Sequence, residues 1–247
     1  MHIFNSEGIV LNKIKYLESD LIVTIFLKDE GKIKAIAKGG AKSRKRFAAA
    51  FEVGNDGEFG IVEKHIHQLM RIEHAHINNY FLNIRKDYNK LLMLFHFLSI
   101  TDNLLPEKQK NEKLFDVFLT ALRLLEEDHP VLAIRLFYES YLLKMNGILP
   151  YIKNCESCGG GLDYDDTYIT FKNGRIICKS CIMNDIAVRR IPLNVIILLN
   201  SINERIVDFK EFLSIDIPLD MFGFTMRHIS DYIGRPQTIW QMINNNI

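Results

Sequence analysis

Four cysteines constrain this chain of 247 residues more than any other feature of its sequence. They form two pairs, Cys155-x2-Cys158 and Cys178-x2-Cys181, separated by the 19 residues 159–177. Two such pairs at this distance can place four thiolates around one tetrahedral Zn²⁺. The spacing therefore predicts one structural zinc ion per chain, and redox-active pairs or free thiols are the alternative.

The residues between the two pairs predict the small hairpin of a zinc ribbon. Three glycines, 159–161, follow the first pair, where glycine relieves crowding in a tight turn. Two β-prone runs, 168–171 and 175–177, are joined through Asn173-Gly174, which is a hairpin turn signal. Because four thiolates leave no coordination position for water, we expect this site to stabilise a module and not to catalyse a reaction.

The first 80 residues predict β structure. Strands are expected over about 8–16, 21–27, 32–38 and 58–66, with turn signals at 29–31 and 54–57. Four or five short strands are too few for an immunoglobulin-like sandwich and fit a five-stranded OB-type barrel better.

From about residue 79 the apolar residues recur at helical spacing. The first stripe consists of Tyr88, Leu91, Leu92, Phe95 and Leu98 and ends before Pro106. Further helices are expected over 114–125, over 131–145 with Gly147 as the stop, from Pro192, and from Pro218 to Gly234, with a last turn around Trp240.

The predicted fold class is therefore α+β and multidomain. The expected parts are an N-terminal OB-fold β-barrel (1–79), the first part of an α-helical domain (80–150), an inserted four-cysteine zinc-ribbon module (151–186) and the C-terminal part of the helical domain (187–247).

The net charge of +1 conceals an uneven distribution of cations. Seven cations and no acidic residue lie within the fifteen positions 32–46, and the rest of the chain has a net charge of −6. These cations are Lys32, Lys34, Lys38, Lys42, Arg44, Lys45 and Arg46. A localised cationic segment that contains glycines is typical of a phosphate-backbone contact, so we expect nucleic-acid binding here. A solvated loop is the alternative, and Phe47 and Phe51 either stack on bases or enter the barrel core.

Other candidate sites are weaker. Two His-x-His pairs, at 65–67 and 74–76, lack a Cys or carboxylate to complete a metal site and are interpreted as surface histidines. Asp163, Asp165 and Asp166 suggest either a Mg²⁺ site of a nuclease or solvated turn residues. No common hydrolase, metalloprotease or dinucleotide-binding motif occurs, so the chain is not expected to be an enzyme.

The chain has no apolar run of about 18 residues and no signal-peptide pattern, so we expect a cytoplasmic protein without a membrane segment. Two further classes stay open: a zinc-ribbon nucleic-acid-processing enzyme that uses the acidic loop, and a protein-only interaction adaptor.

Several segments in order along the chain resemble the bacterial DNA repair protein RecO family. The resembling segments are 8–11, 18–20, 31–32, 37–44, 142–150, 155–159, 178–181 and 232–235. The stretch 51–54 departs from the family pattern because it lacks a proline.

The resemblance implies a recombination mediator of the RecFOR pathway that is associated with the nucleoid. Such proteins bind ssDNA and dsDNA, anneal complementary strands and, with RecR, help RecA replace single-strand-binding protein (SSB), whose tail docks on their surface. The family's basic motif corresponds to Lys38, Lys42, Arg44, Lys45 and Arg46, and strand alternation adds Lys32 and Lys34.

Overall fold

The structure is a computed structural model that describes residues 2–43, 45–63, 69–183 and 187–234. The described residues form two compact units, one extending to Glu127 and the other beginning at Asp128. The four-part division expected from the sequence stays a prediction.

The first unit contains a closed five-stranded barrel. Its strands are β1 (His2–Tyr16), β2 (Asp20–Leu27), β3 (Gly31–Ala37), β4 (Asp56–Glu63) and β5 (Met70–Asn79). They follow the order β1-β2-β3-β5-β4, and β4 closes the barrel by pairing with β1. The β3–β5 pair is parallel and the other pairs are antiparallel. The predicted OB-type barrel is thereby confirmed.

Alternation along the strands places the barrel core. Val23 and Ile25 of β2 and Ile33 and Ala35 of β3 point inward and are buried together with Phe59. β1 begins six residues earlier than predicted, because His2 to Ile9 pair with β4. This first stretch has no apolar run, so only its pairing partner identifies it as a strand. Residues 64–66 of the fourth predicted strand lie outside the described residues.

Three helices complete the first unit: α1 (Leu82–Lys86), α2 (Tyr88–Leu104) and α3 (Glu112–Glu126). Asp87 and Asn111 cap the longer two, since their side chains accept hydrogen bonds from the backbone N–H of Lys90 (2.9 Å) and Leu114 (3.1 Å).

The prediction of which face of α2 is buried is wrong. Tyr88 is 62% exposed and Phe95 is 40% exposed, and Leu98 is the one fully buried residue of the predicted stripe. The buried face instead contains Met93, Leu94, Phe97, Ile100 and Leu104. Apolar residues occur on nearly all sides of this helix, so their spacing does not select the buried side.

The second unit combines four helices with a small sheet. The helices are α4 (Val131–Met145), α5 (Leu193–Glu204), α6 (Phe209–Leu213) and α7 (Met221–Ile233). The sheet has the order β7-β6-β8, with β6 (Thr167–Thr170), β7 (Ile176–Cys178) and β8 (Val188–Arg190). Gly147 and Gly234 adopt left-handed backbone conformations after α4 and α7, as predicted. The predicted turn around Trp240 lies outside the described residues.

Candidate metal centre and nucleic-acid interface

The four cysteines converge in the second unit. Cys155 follows α4 and is buried, Cys158 lies in the next turn, Cys178 ends β7, and Cys181 ends a short 3₁₀ turn. All four sulfur atoms lie within 4.8 Å of one another, and the Cys158 and Cys178 Sγ atoms are 3.9 Å apart. The arrangement could hold a metal ion, and four sulfur donors are the set that tetrahedral zinc prefers.

Backbone geometry positions the first pair. The N–H of Gly159 donates to the carbonyl of Cys155 at 2.8 Å, and the N–H of Cys155 donates to the carbonyl of Gly160 at 2.7 Å. Gly159 has a φ of +74°, a conformation in which a side chain is strained. The turn therefore depends on the glycine that the sequence provides.

Backbone N–H groups also favour the thiolate of Cys155. Burial opposes its ionisation, but hydrogen bonds from nearby backbone N–H groups outweigh burial and lower the pKa of Cys155 to about 6. The donors include Ser157 at 3.4 Å and Cys178 at 3.3 Å from Sγ. At Cys181, interactions with the thiols of Cys158 and Cys178 raise the pKa to about 12. The lowered pKa favours the anionic form of Cys155. Four thiolates held this close together repel one another, so a cation is needed to stabilise all four.

The acidic residues near the metal centre make local contacts. Asp163 accepts a hydrogen bond from the backbone N–H of Asp165 at 3.0 Å, and Asp166 lies 3.4 Å from the ammonium group of Lys179. Within the described ranges, the four cysteines are the one group of three or more potential ligands that converges. His74 is exposed on β5, and the other His-x-His pair lies outside the described residues.

The basic segment leaves β3 and forms a loop against the β1–β2 turn. Gly39 donates its N–H to the Asp20 carboxylate at 2.8 Å, and Ala41 donates to the carbonyl of Ser19 at 2.9 Å. These contacts fix the loop beside the hairpin, whereas the four cations of the loop that the structure describes are exposed to solvent. Lys38, Lys42, Lys45 and Arg46 are exposed, and Arg44 lies outside the described residues.

Phe47 and Phe51, which close the basic segment, are core residues. They are 2% and 3% exposed, and their ring centroids lie 4.8 Å apart. The guanidinium group of Arg46 lies 4.2 Å from the centroid of the Phe47 ring, and this contact orients the cation at the barrel surface. The base-stacking alternative for these two phenylalanines has no exposed ring to support it.

Lys32 and Lys34 differ from the loop cations because carboxylates neutralise both. Lys32 is 8% exposed, and its ammonium group lies against the backbone carbonyl of Asp102 and 3.2 Å from the carboxylate of that residue. Lys34 is exposed but lies 2.6 Å from Glu107. The hydrogen bond between them raises the pKa of Lys34 and lowers the pKa of Glu107. Alternation placed both lysines on the outer face, but only the fold shows that helical residues cover Lys32.

Two further cations, which the sequence pattern did not identify, lie beside the basic loop. Lys13 and Lys15 of β1 line a groove of about 360 Å³ together with Gly40 and Ala41 of the basic loop. Lys13 pairs with Glu52 at 2.7 Å, while Lys15 has no ion pair within the described part of the chain. The alternation Lys13-Ile14-Lys15-Tyr16 is the signal that identifies them, once β1 is paired with β2.

The chain is similar to known proteins along nearly all of its length. The family description "Recombination protein O N terminal" matches residues 1–81, and "Recombination protein O C terminal" matches residues 85–238. The chain belongs to the RecO family. It is 31% identical to the DNA repair protein RecO of Thermodesulfovibrio yellowstonii, over 99% of this chain and 98% of that protein.

Two more RecO proteins extend the similarity across bacteria. The chain is 31% identical to DNA repair protein RecO of Syntrophus aciditrophicus, over 77% of this chain and 74% of that protein. It is 28% identical to the Listeria monocytogenes RecO protein, over 78% of this chain and 74% of that protein. RecO membership indicates a role in DNA repair. Of the helices that the structure describes, none combines the length and hydrophobicity that a membrane crossing requires.

Proposed function

We propose that this chain is a recombination mediator that binds ssDNA and dsDNA and anneals complementary strands. The observation that carries the proposal is the exposed basic loop at the end of the closed barrel. Lys38, Lys42, Lys45 and Arg46 have no ion pair within the described residues, so their charge is available to phosphates. Arg44 belongs to the same segment in sequence and is included in the proposal.

The proposed mechanism is electrostatic and makes or breaks no covalent bond. Two single strands repel each other through their phosphates, and a cationic surface that screens both raises the rate at which they meet. Base pairing then completes annealing. Lys34 and the largely buried Lys32 contribute less to this surface, because each lies beside a carboxylate.

We extend the proposal to partners on the basis of RecO membership. With RecR, the chain would help RecA replace SSB on single strands, and the SSB tail would dock on the chain. We further propose that Cys155, Cys158, Cys178 and Cys181 hold one structural Zn²⁺ per chain. The supporting observation is the convergence of four sulfur donors with no other ligand type beside them in the described residues.

Annealing of complementary strands coated with SSB tests the proposal. The annealing rate is measured in the absence of nucleotide, with and without this chain. The wild-type protein should accelerate annealing, and Lys42→Glu/Arg46→Glu should remove most of the acceleration. The control Lys86→Glu/Lys113→Glu makes the same charge change at exposed lysines elsewhere in the first unit and should anneal like wild type.

Two results would contradict the proposal. Failure of the wild-type protein to bind DNA at low salt would favour a protein-only adaptor. Metal-dependent strand cleavage that disappears in Asp163→Ala/Asp165→Ala/Asp166→Ala would show a nuclease.

A further inference from the structure

Asp20 is an acidic residue whose side chain contacts the basic loop. It begins β2, directly after the β1–β2 turn, and is half-buried. Its Oδ1 accepts a hydrogen bond from the backbone N–H of Gly39 at 2.8 Å and lies 3.4 Å from the hydroxyl group of Ser19, which donates to it. Among the residues that the structure describes, Asp20 forms no ion pair with a cation.

This contact differs from those of the acids that face β3. Asp102 and Glu107 each form an ion pair with a lysine of that strand and neutralise its charge. Asp20 instead binds the loop backbone, and the nearby Lys38 and Lys42 stay exposed without an ion pair in the described part of the chain. The carboxylate therefore holds the loop without neutralising these two cations.

The loop needs such a contact because two adjacent glycines begin it. Gly39 has a φ of +69°, and Gly40 follows directly. Glycine adopts the widest range of backbone conformations and loses more conformational entropy than other residues when it becomes ordered. The hydrogen bond to Asp20 ties Gly39 to β2, which is a strand of the closed barrel.

A different side chain holds the other end of the loop. The hydroxyl oxygen of Ser43 accepts hydrogen bonds from the backbone N–H groups of Arg46 and Phe47, both at 3.1 Å. Phe47 is buried in the barrel core. Loss of the Asp20 carboxylate should therefore loosen the loop around Gly39 and leave its second end in place.

We propose that Asp20 is a positioning residue that raises DNA affinity, because it orders the basic loop before DNA binds. This inference rests on the proposed function and adds a residue to that DNA surface. Charge alone gives the opposite expectation, since a carboxylate beside phosphates repels them and its removal should strengthen binding. Ordering reverses the sign, because DNA binding to a loosened loop includes the entropy cost of ordering it.

The test measures the affinity for oligo(dT) at one salt concentration. Asp20→Ala should weaken binding about fivefold, which is the effect of one net hydrogen bond. Asp20→Asn keeps an acceptor oxygen but loses the charge, so it should bind at least as tightly as wild type. The control Glu18→Ala removes the same charge from the same turn. The Glu18 side chain is exposed and makes no hydrogen bond or ion pair within the described residues, so this variant should also bind at least as tightly as wild type.

Hydrogen exchange of the free wild-type chain does not depend on how the variants fold. The Gly39 amide should be protected in wild type and in Asp20→Asn and should exchange faster in Asp20→Ala, while the amides of β2 keep their protection in all three. Unchanged or tighter binding by Asp20→Ala, equal losses for Asp20→Ala and Asp20→Asn, or an unprotected Gly39 amide in wild type would overturn the inference. A wild-type chain that binds no DNA at low salt would instead overturn the proposed function.

Discussion

At the residue scale, Asp56 is a carboxylate that closure of the barrel buries. It lies at the start of β4 and is 1% exposed. Its Oδ2 accepts a hydrogen bond from the side chain of Asn79 at 2.7 Å, whereas its Oδ1 has no hydrogen-bond partner in the described residues. Burial raises the pKa of Asp56, and the Asn79 hydrogen bond and the charge of Arg123 oppose this shift without cancelling it.

The raised pKa fixes the sign of a pH effect on stability. The folded state binds the Asp56 proton more tightly than the unfolded state, whose pKa is near the ordinary 3.8. The contribution of this proton is therefore fully present below that value and is lost as the pH rises through the folded pKa. Asp56→Asn should be more stable than wild type at pH 7, and the difference should shrink as the pH falls towards the ordinary value.

Thermal unfolding at pH 7 and at a pH near the ordinary pKa of 3.8 measures the effect of Asp56→Asn. The control Glu30→Gln changes an exposed acid that has no ion pair in the described part of the first unit, and its unfolding temperature should match that of wild type at both pH values. If Asp56→Asn were less stable than wild type at pH 7, the cost of losing a carboxylate hydrogen-bond acceptor would exceed the cost of burying the charge.

Single residues differ in how far the sequence predicts their position in the fold. The two Cys-x2-Cys pairs predict their own convergence, because the geometry of a tetrahedral site restricts the spacing of its ligands. Lys32 is different. Alternation along β3 places it outside the barrel, but its burial depends on Asp102, which lies 70 positions later in the chain.

At the scale of elements, the hairpin of β6 and β7 is attached to α7 as well as to the cysteine cluster. Gly174 has a φ of +60°, and a Cβ atom there would overlap the backbone of Gly223 in α7. Arg227 of α7 forms two hydrogen bonds with the carboxylate of Glu156, which lies between the first two cysteines. Glu156 also accepts a hydrogen bond from the N–H of Ile176 at 3.0 Å.

Metal loss should therefore loosen the hairpin and weaken its contact with α7. The hairpin has a small core of its own, so a bound metal supplies much of the free energy that keeps it folded. Metal analysis of the reduced protein should give about one zinc per chain. After chelation, hydrogen exchange should accelerate at the amides of β6 and β7 and to a smaller extent in α7, while the amides of β2 and β3 keep their protection.

Cys181→Ser should reproduce the effect of chelation on hydrogen exchange, because it removes one of the four donors. The control Ser180→Ala changes an exposed neighbour that supplies no sulfur and should retain both zinc and protection. Equal protection of β6 and β7 with and without metal would show that the hairpin folds independently of the cysteine cluster.

Elements differ in how well their sequence predicts them. The stops of α4 and α7 were predictable because Gly147 and Gly234 adopt the left-handed conformation that glycine favours. β8 was missed because a strand of three residues carries too little pattern, and its pairing with β6 is a tertiary contact. The buried side of α2 was predicted wrongly for a similar reason, since packing partners select it.

At the scale of the whole molecule, the near-neutral net charge is an average over a basic segment and an acidic remainder. The segment 32–46 carries seven cations, while the rest of the chain carries 24 cations and 30 anions. Outside this segment, the excess of anions repels phosphates. DNA affinity should therefore depend on a few loop side chains and fall steeply as salt rises.

The slope of this salt dependence should report the number of phosphates that the loop cations neutralise. On single strands each phosphate that a cation neutralises contributes about −0.7 to the slope of log Kobs against log salt concentration. Lys42→Ala/Lys45→Ala should therefore reduce the magnitude of the slope by about 1.4 and weaken binding most at low salt. The control Lys86→Ala/Lys113→Ala removes the same charge from α1 and α3 and should leave the slope unchanged. If both double variants changed the slope equally, phosphate binding would follow net charge, and the loop would not be a defined site.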